Sequence, residues 1–235
     1  MVDKDKIELE LHWYFHDMST QQPLWSDQYE IDHQGLIHVF NTNIYSVRAS
    51  ETGRLPVRFG EIVGDFRVNN MGLTTLEGAP TVVSGWFSCV QNKLTSLLHC
   101  PKSCMRLMCS HNKLTSLTHA SEVDDAILCD NNQLTDLSSV PPVEYLDVEY
   151  NPIQNFQNTP SHIERLDITW HEHLPLLGLL SAQRVDIFDP ESGEIMERLT
   201  QIINAYTTQE GSMKSKMIKC AAELIRAGYK ENARW

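Results

Sequence analysis

The chain has no run of 18 apolar residues anywhere, so no segment of it reads as a membrane-spanning helix. It opens without a basic stretch leading into an apolar one, so no secretory leader is expected, and a soluble, cytoplasmic protein is. Basic residues are scarce: 19 Lys and Arg stand against 31 Asp and Glu, for a net charge of -12. That balance argues against direct binding to nucleic acid or to an anionic membrane, both of which need basic patches. A protein partner with a basic surface is the natural complement. No Cys-x-x-Cys pair suggests zinc, and no glycine-rich phosphate loop or Ser/His/Asp order suggests catalysis. No catalytic residue, metal ligand or cofactor is therefore nominated, and a non-enzyme is expected.

What the chain does have is a repeat. Asn92-Lys93-Leu94-Thr95-Ser96-Leu97 recurs as Asn112-Lys113-Leu114-Thr115-Ser116-Leu117 and as Asn132-Gln133-Leu134-Thr135-Asp136-Leu137, at a spacing of 20 residues. Before each Asn stand two apolar residues separated by one variable position: Phe66/Val68, Phe87/Cys89, Leu107/Cys109, Ile127/Cys129, Leu146/Val148, Leu166/Ile168 and Val185/Ile187. Their first members are 21, 20, 20, 19, 20 and 19 residues apart, and Tyr45/Val47 extends the series by 21. Each unit reads as a short strand, a turn and an extended return, and none can bury its apolar side alone. Stacking supplies the core, which makes the chain a solenoid. The column Asn92, Asn112, Asn132, Asn151 stands where the chain leaves the strand, and a buried amide there satisfies loop backbone groups that no ladder reaches. Met71 and His171 break that column. Pro80, Pro101, Pro141 and Pro160 recur on the return limb, with Ser121 as the exception.

The phrase Asn-x-Leu-Thr-x-Leu with a later Pro resembles the short bacterial class of leucine-rich repeats found in enterobacterial type III effectors. It also looks like the repeats of small tailed-phage proteins, as in Leu73-Thr74-Thr75-Leu76-Glu77-Gly78-Ala79-Pro80, a likeness that extends to the tail from Ala222 to Trp235. The resemblance implies an α/β repeat fold, a leucine-rich repeat solenoid with a parallel sheet on its concave face. It also implies a phage- or bacterium-encoded inhibitor or adaptor that engages a host protein, for instance in a nucleic-acid-handling or defence complex. Some such effectors carry a large C-terminal ubiquitin-ligase domain, for which the 45 or so residues after the last rung leave no room.

Three regions follow. Residues 1–44 are expected to form an N-terminal β cap, in which Ile7, Leu9, Leu11 and Trp13 alternate as a strand and residues 29–39 form a hairpin around Gln34-Gly35. Residues 45–190 form the solenoid of seven or eight rungs. Residues 191–235 form a C-terminal cap of two helices, the first marked by Ile195, Leu199, Ile202, Ile203 and Tyr206 with Asp189 or Ser192 as N-cap. The second is marked by Met213, Met217, Ile218, Ala221, Leu224 and Ile225 and stops at Gly228. Cys89, Cys109 and Cys129 fall in one inward column and read as small hydrophobes in a tight core.

Residues between the apolar pairs point away from the core, because side chains alternate along a strand. Among them Asp147, Asp167 and Asp186 are neighbours, and bare carboxylates about 5 Å apart repel by about 1 to 3 kcal/mol per pair. A fold gains nothing from that, so the column reads as functional. With Asp130 and Glu149 alongside and Tyr145, Tyr150 and Trp170 at its margins, it forms an acidic, aromatic patch suited to partner binding. The alternative reading is a structural component that assembles as a homo-oligomer through apolar rungs near Met108 and Leu128.

Overall fold

A computed structural model describes residues 2–234. Its body is a solenoid of stacked coils whose strands pair in parallel. The main ladder runs through β4 (Ile44–Ser46), β6 (Phe66–Arg67), β8 (Trp86–Ser88), β9 (Ser103–Met108), β10 (Glu122–Leu128), β11 (Tyr145–Asp147), β12 (Arg165–Thr169) and β13 (Arg184–Phe188). Phe66, Phe87, Leu107, Ile127, Leu146, Leu166 and Val185 sit side by side across it, each fully buried, so the sequence register holds over seven rungs. The eighth rung is corrected by one residue. Ile44, not Tyr45, lies opposite Phe66, and Tyr45 lies beside Arg67 on the outer face. A one-residue slip exchanges the two faces of a strand, and the more apolar Ile44 takes the interior.

The return limbs form a second parallel ladder that the repeat pattern does not announce. It links β3 (Leu36–Val39), β5 (Arg58–Ile62), β7 (Val82–Val83) and β9, and ends where Glu122 and Val123 of β10 pair with Ser103 and Cys104. The next return limb carries Pro141-Pro142, which lacks two N–H donors, and there the second ladder stops. Strand β3, ahead of residue 45, already pairs in parallel with β5. Between the ladders lies one continuous core, aromatic at its start, where Phe15, Phe59 and Phe66 pack with ring centroids 4.7 to 6.0 Å apart. Further along it is lined by Cys89, Cys109 and Cys129, all free thiols at 0% exposure.

The asparagine column works as a relay between coils. Asn112 Oδ1 accepts the N–H of Leu94 at 3.0 Å, and its Nδ2 donates to the carbonyls of Cys89 and Cys109. Asn92, Asn132 and Asn151 repeat this pattern one coil earlier and one and two coils later. At position 171 the imidazole of His171 replaces the amide with a single contact to the Ile153 carbonyl. One residue before each Asn, Gln91, His111, Asn131 and Tyr150 adopt positive φ of 50 to 57°, the sharp exit from the strand. Where Ser121 replaces proline, its buried hydroxyl donates to the Pro101 carbonyl at 2.7 Å.

The N-terminal segment departs from the expected strand. Lys4–Tyr14 is an α-helix, α1, and Asp3 at its N-cap accepts the Lys6 N–H. Ile7, Leu11 and Tyr14 share a helical face, and this spacing prevails over the alternation, leaving Leu9 and Trp13 exposed. Strand β1 (Phe15–Asp17) then pairs antiparallel with β4, and β2 (Tyr29–Ile31) pairs with β3 in the hairpin expected around Gly35.

At the other end, α2 (Glu197–Thr207) and α3 (Met213–Arg226) pack on each other and on the last coil. Ile195 lies outside α2. It bridges back to Phe188, and Asp189 holds the intervening turn instead of capping the helix. Helix α2 lies along the free edge of β13, where Asn204 accepts the Val185 N–H at 2.8 Å and donates to its carbonyl at 2.7 Å. Thr200 accepts the Ile187 N–H, and Thr207 donates to the Gln183 carbonyl. Helix α3 buries Cys220 and Leu224 but leaves Ile218 and Ile225 exposed, so its apolar stripe is wider than its packed face. It stops at Gly228 (φ +97°), and the following Tyr229 N–H returns to the Leu224 carbonyl.

Candidate functional site

The register places Asp147, Asp167 and Asp186 side by side on the outer face of β11, β12 and β13. Two of the three are ion-paired, which corrects the expectation of bare, mutually repelling carboxylates. Arg165 and Arg184 stand two residues earlier on β12 and β13, on the same face. Arg165 grips Asp167 with Nε at 3.0 Å and Nη2 at 2.9 Å and reaches Asp186 at 3.2 Å, while Arg184 holds Asp186 through two nitrogens. Asp167 and Asp186 are only 2% and 3% exposed. Tyr145 completes this lattice: its hydroxyl donates to Asp167 Oδ2 at 2.8 Å, and the Arg165 guanidinium lies 4.8 Å from its ring centre. Burial and the hydrogen bond to Asp167 push the Tyr145 phenol well above its ordinary range. Burial, opposed by these partners, also raises Asp167.

A second set of acids lacks such support. Leu128 lies beside Asp147 in the register, so Asp130 and Glu149 neighbour each other two residues further on. Asp130 receives Asn131 Nδ2 at 2.8 Å and has the His111 imidazole at 3.7 Å, while Asp147 accepts only the Glu149 N–H, at 3.0 Å. All three carboxylates are half-buried. Desolvation first, then repulsion from Asp130 and Asp167, pushes Asp147 up to about 6. The same causes, led again by burial and joined by Asp147, push Glu149 up to about 7. These carboxylates crowd together at the centre of the face with no arginine gripping them.

The aromatic margins divide. Tyr150 stands exposed at the positive-φ exit from β11, its backbone N–H held by the Thr169 hydroxyl at 2.8 Å. Trp170 is instead half-buried against the core, and its indole N–H reaches Asn232 Oδ1 at 3.4 Å. Buried Asn232 also donates to the carbonyls of His171 and Leu174, so the tail takes over the work of the asparagine column after β12. Trp170 therefore belongs to the seam between tail and solenoid rather than to an open surface. Trp235, which ends that tail, lies outside the described residues.

Arg165 and Arg184 escaped the sequence reading, although their position two residues before Asp167 and Asp186 in a strand puts them on the acid's own side. The same rule finds a basic and aromatic group at the other end. Trp86 lies between Arg67 and Arg106, whose guanidinium carbons are 5.6 and 4.9 Å from its ring centre. Arg106 in turn holds Asp125. The outer face thus runs from an arginine–tryptophan cluster through half-buried Met108 and Leu128 to the acids.

The cysteines are set for packing: burial pushes the Cys104 thiol up to about 11 and Cys220 to about 12 and raises Cys89 and Cys100, while Cys109 is raised first by its hydrogen bond with Cys129 and then by burial. Among the described residues no three His, Cys, Asp or Glu side chains are grouped to hold a metal ion, and no helix is long and apolar enough to cross a membrane. Comparison with family models, with curated proteins and with solved structures found no match.

Proposed function

We propose that the chain is a non-enzymatic binding module of the leucine-rich repeat type that docks a basic surface of a partner protein on the outer, concave face of β10 to β12. In this reading α1 with its hairpin and α2 with α3 are end caps. The observation that carries it is the unbalanced charge at Asp130, Asp147 and Glu149. These three half-buried carboxylates repel one another, and no arginine forms an ion pair with them: His111 stands beside Asp130 and Arg165 acts on Asp147 and Glu149 only at a distance, while Asp167 and Asp186 are directly paired. An incoming Lys or Arg relieves both the repulsion and the lost hydration, so a cation gains more here than at an ordinary exposed acid. Exposed Tyr150 adds an aromatic contact beside the charges. The Arg165/Asp167/Asp186/Tyr145 lattice then acts as a rigid backing, and Trp170 fixes the tail.

The resemblance to phage repeat proteins extends the proposal to a cytoplasmic inhibitor or adaptor acting on a host protein. The test is affinity capture from bacterial lysate with the wild-type chain and with Asp147→Asn/Glu149→Gln as paired baits. A protein with a basic surface that the wild type retains and the variant loses supports the proposal. Identical retention by both baits overturns it. Sedimentation of the pure chain separates the assembly alternative: a stable oligomer broken by Met108→Glu or Leu128→Glu favours assembly over docking.

A further inference from the structure

Beyond the concave acidic patch, we infer that the outer face of α3 is an interface for a second copy of this chain, which receives it in an acidic trough on the second ladder. The contact leaves the concave face free for docking.

Ile218 and Ile225 stand two helical turns apart on the side of α3 opposite buried Cys220 and Leu224, and they are 62% and 52% exposed. A cap that closes a solenoid needs a polar outer face, and this one carries an apolar stripe. Lys214, Lys219 and Arg226 border the stripe, all exposed and without an ion pair among the described residues. The other two charges of α3 are spent within the cap. Lys216 donates to the Thr207 carbonyl at 3.1 Å, and Glu223 accepts the Tyr206 hydroxyl at 2.7 Å. Helix α3 thus presents a basic, apolar surface on a chain of net charge -12.

The trough supplies the opposite. It measures about 510 Å3 and lies across β7, β9 and β10, where Val82, Ser103 and Glu122 form one outward row. Met105 and Asp124 follow two residues on, on the same side. Met105 is 45% exposed, and Val82 and Val123 are half-buried. A bulge sets Asp124 and Asp125 opposite Met105 alone; Arg106 takes Asp125, and Asp124 is left in the trough. Glu122 and Asp124 are exposed and have no ion pair among the described residues. The second ladder also ends here, with no strand paired to Glu122 or Val123 beyond β10. A sheet edge is normally covered, as α2 covers β13, and here only the limb with Pro142 flanks it.

One copy cannot fill its own trough. Helix α3 packs on α2 and on Leu177–Ser181, beyond β13, with its isoleucines turned away from that packing. The trough ends at β10, three strands back, or about 14 Å. A second copy therefore brings the stripe onto adaptable Met105 and sets Lys219 and Arg226 against Glu122 and Asp124. Each surface is apolar, each is rimmed by unpaired charges of opposite sign, and every copy carries both.

Sedimentation equilibrium of the full chain from about 5 to 500 μM tests the contact, at about 0.15 M salt to screen the net repulsion between copies. The expected result is concentration-dependent self-association, weakened about tenfold or more by Lys219→Glu/Arg226→Glu, by Glu122→Lys/Asp124→Lys and by Ile218→Glu. Combining the four charge reversals in one chain should restore association to within about threefold. All these positions are exposed, and unchanged circular dichroism confirms that each variant folds. Leu128→Glu, on the concave face, should leave association unchanged, which separates this contact from assembly through that face. A monomer at every concentration overturns the inference and leaves α3 to a different partner. Failure of the fourfold variant to recover, or loss of association in Leu128→Glu, overturns it as well.

Discussion

Replacing Asn112 with Ala removes a buried amide that four backbone groups use. Leu94 N–H loses its acceptor at 3.0 Å, and the carbonyls of Cys89, Cys109 and Ser110 lose donors at 3.0 to 3.2 Å. These losses are unequal, because the column overlaps itself. The Cys89 carbonyl keeps Asn92 Nδ2 at 2.9 Å, and the Cys109 carbonyl keeps Asn132 Nδ2 at 3.1 Å. Leu94 N–H keeps nothing. One orphaned buried donor costs about 1–3 kcal/mol, and the void left by the amide adds to it, so a total of about 2–4 kcal/mol is expected. Asn151 makes the same bonds from a half-buried position that water reaches, so Asn151→Ala should cost about half as much. Asn112→Asp should be worse than Asn112→Ala, since it sets a carboxylate against three carbonyls. Urea unfolding followed by circular dichroism at fixed pH measures the series. A cost for Asn112→Ala below about 0.5 kcal/mol, or an equal cost at Asn151, would refute the view that the column ties the coils together.

Further predictions concern charge and edges. Asp147 and Glu149 have folded-state pKa values above their unfolded ones, so the folded chain binds more protons between about pH 4 and pH 7, and stability falls as pH rises through that window. Asp147→Asn/Glu149→Gln should therefore gain about 1–2 kcal/mol at pH 8, after allowance for solvent screening, and almost nothing at pH 4.5; thermal melts at the two pH values check this. Arg165→Ala leaves buried Asp167 and Asp186 with one fewer cation and should lose about 3 kcal/mol at neutral pH. Arg184→Ala should lose less, because Asp186 keeps Arg165, and denaturant midpoints rank the two. Asn204→Ala exposes the Val185 backbone on the edge of β13 and should cost about 1–2 kcal/mol, with faster hydrogen exchange at Val185 than at Leu146 as its signature.

The solenoid was legible because its signal is redundant. An inward apolar pair, an exit asparagine and a return-limb proline recur together, so one substituted position such as Ser121 does not disturb the register. Where redundancy fails, so does the reading. Tyr45 and Ile44 fit nearly the same spacing, and only burial separates them. In α1 the residues Ile7, Leu9, Leu11 and Trp13 satisfy period 2 while Ile7, Leu11 and Tyr14 satisfy the helical period, and the Asp3 cap supports the helix. The second ladder stayed hidden because its strands are short and follow prolines, as at Val82–Val83.

The acid column was legible as a column but not as an ion-paired lattice. Its arginines lie on the same strands, two residues before the acids, and counting acids alone overstated the charge of Asp167 and Asp186. Nothing local to Trp170 announces that Asn232, 62 residues later, will claim its indole.

The docking proposal is tested most directly by hydrogen exchange on the chain alone and on the chain saturated with the protein it captures. The proposal predicts slowed exchange in peptides covering Ala126 to Asn131 and Tyr145 to Asn151, the strands that carry Asp130, Asp147, Glu149 and Tyr150. Slowed exchange confined to α1, α2 and α3, with those two strands unchanged, would contradict it.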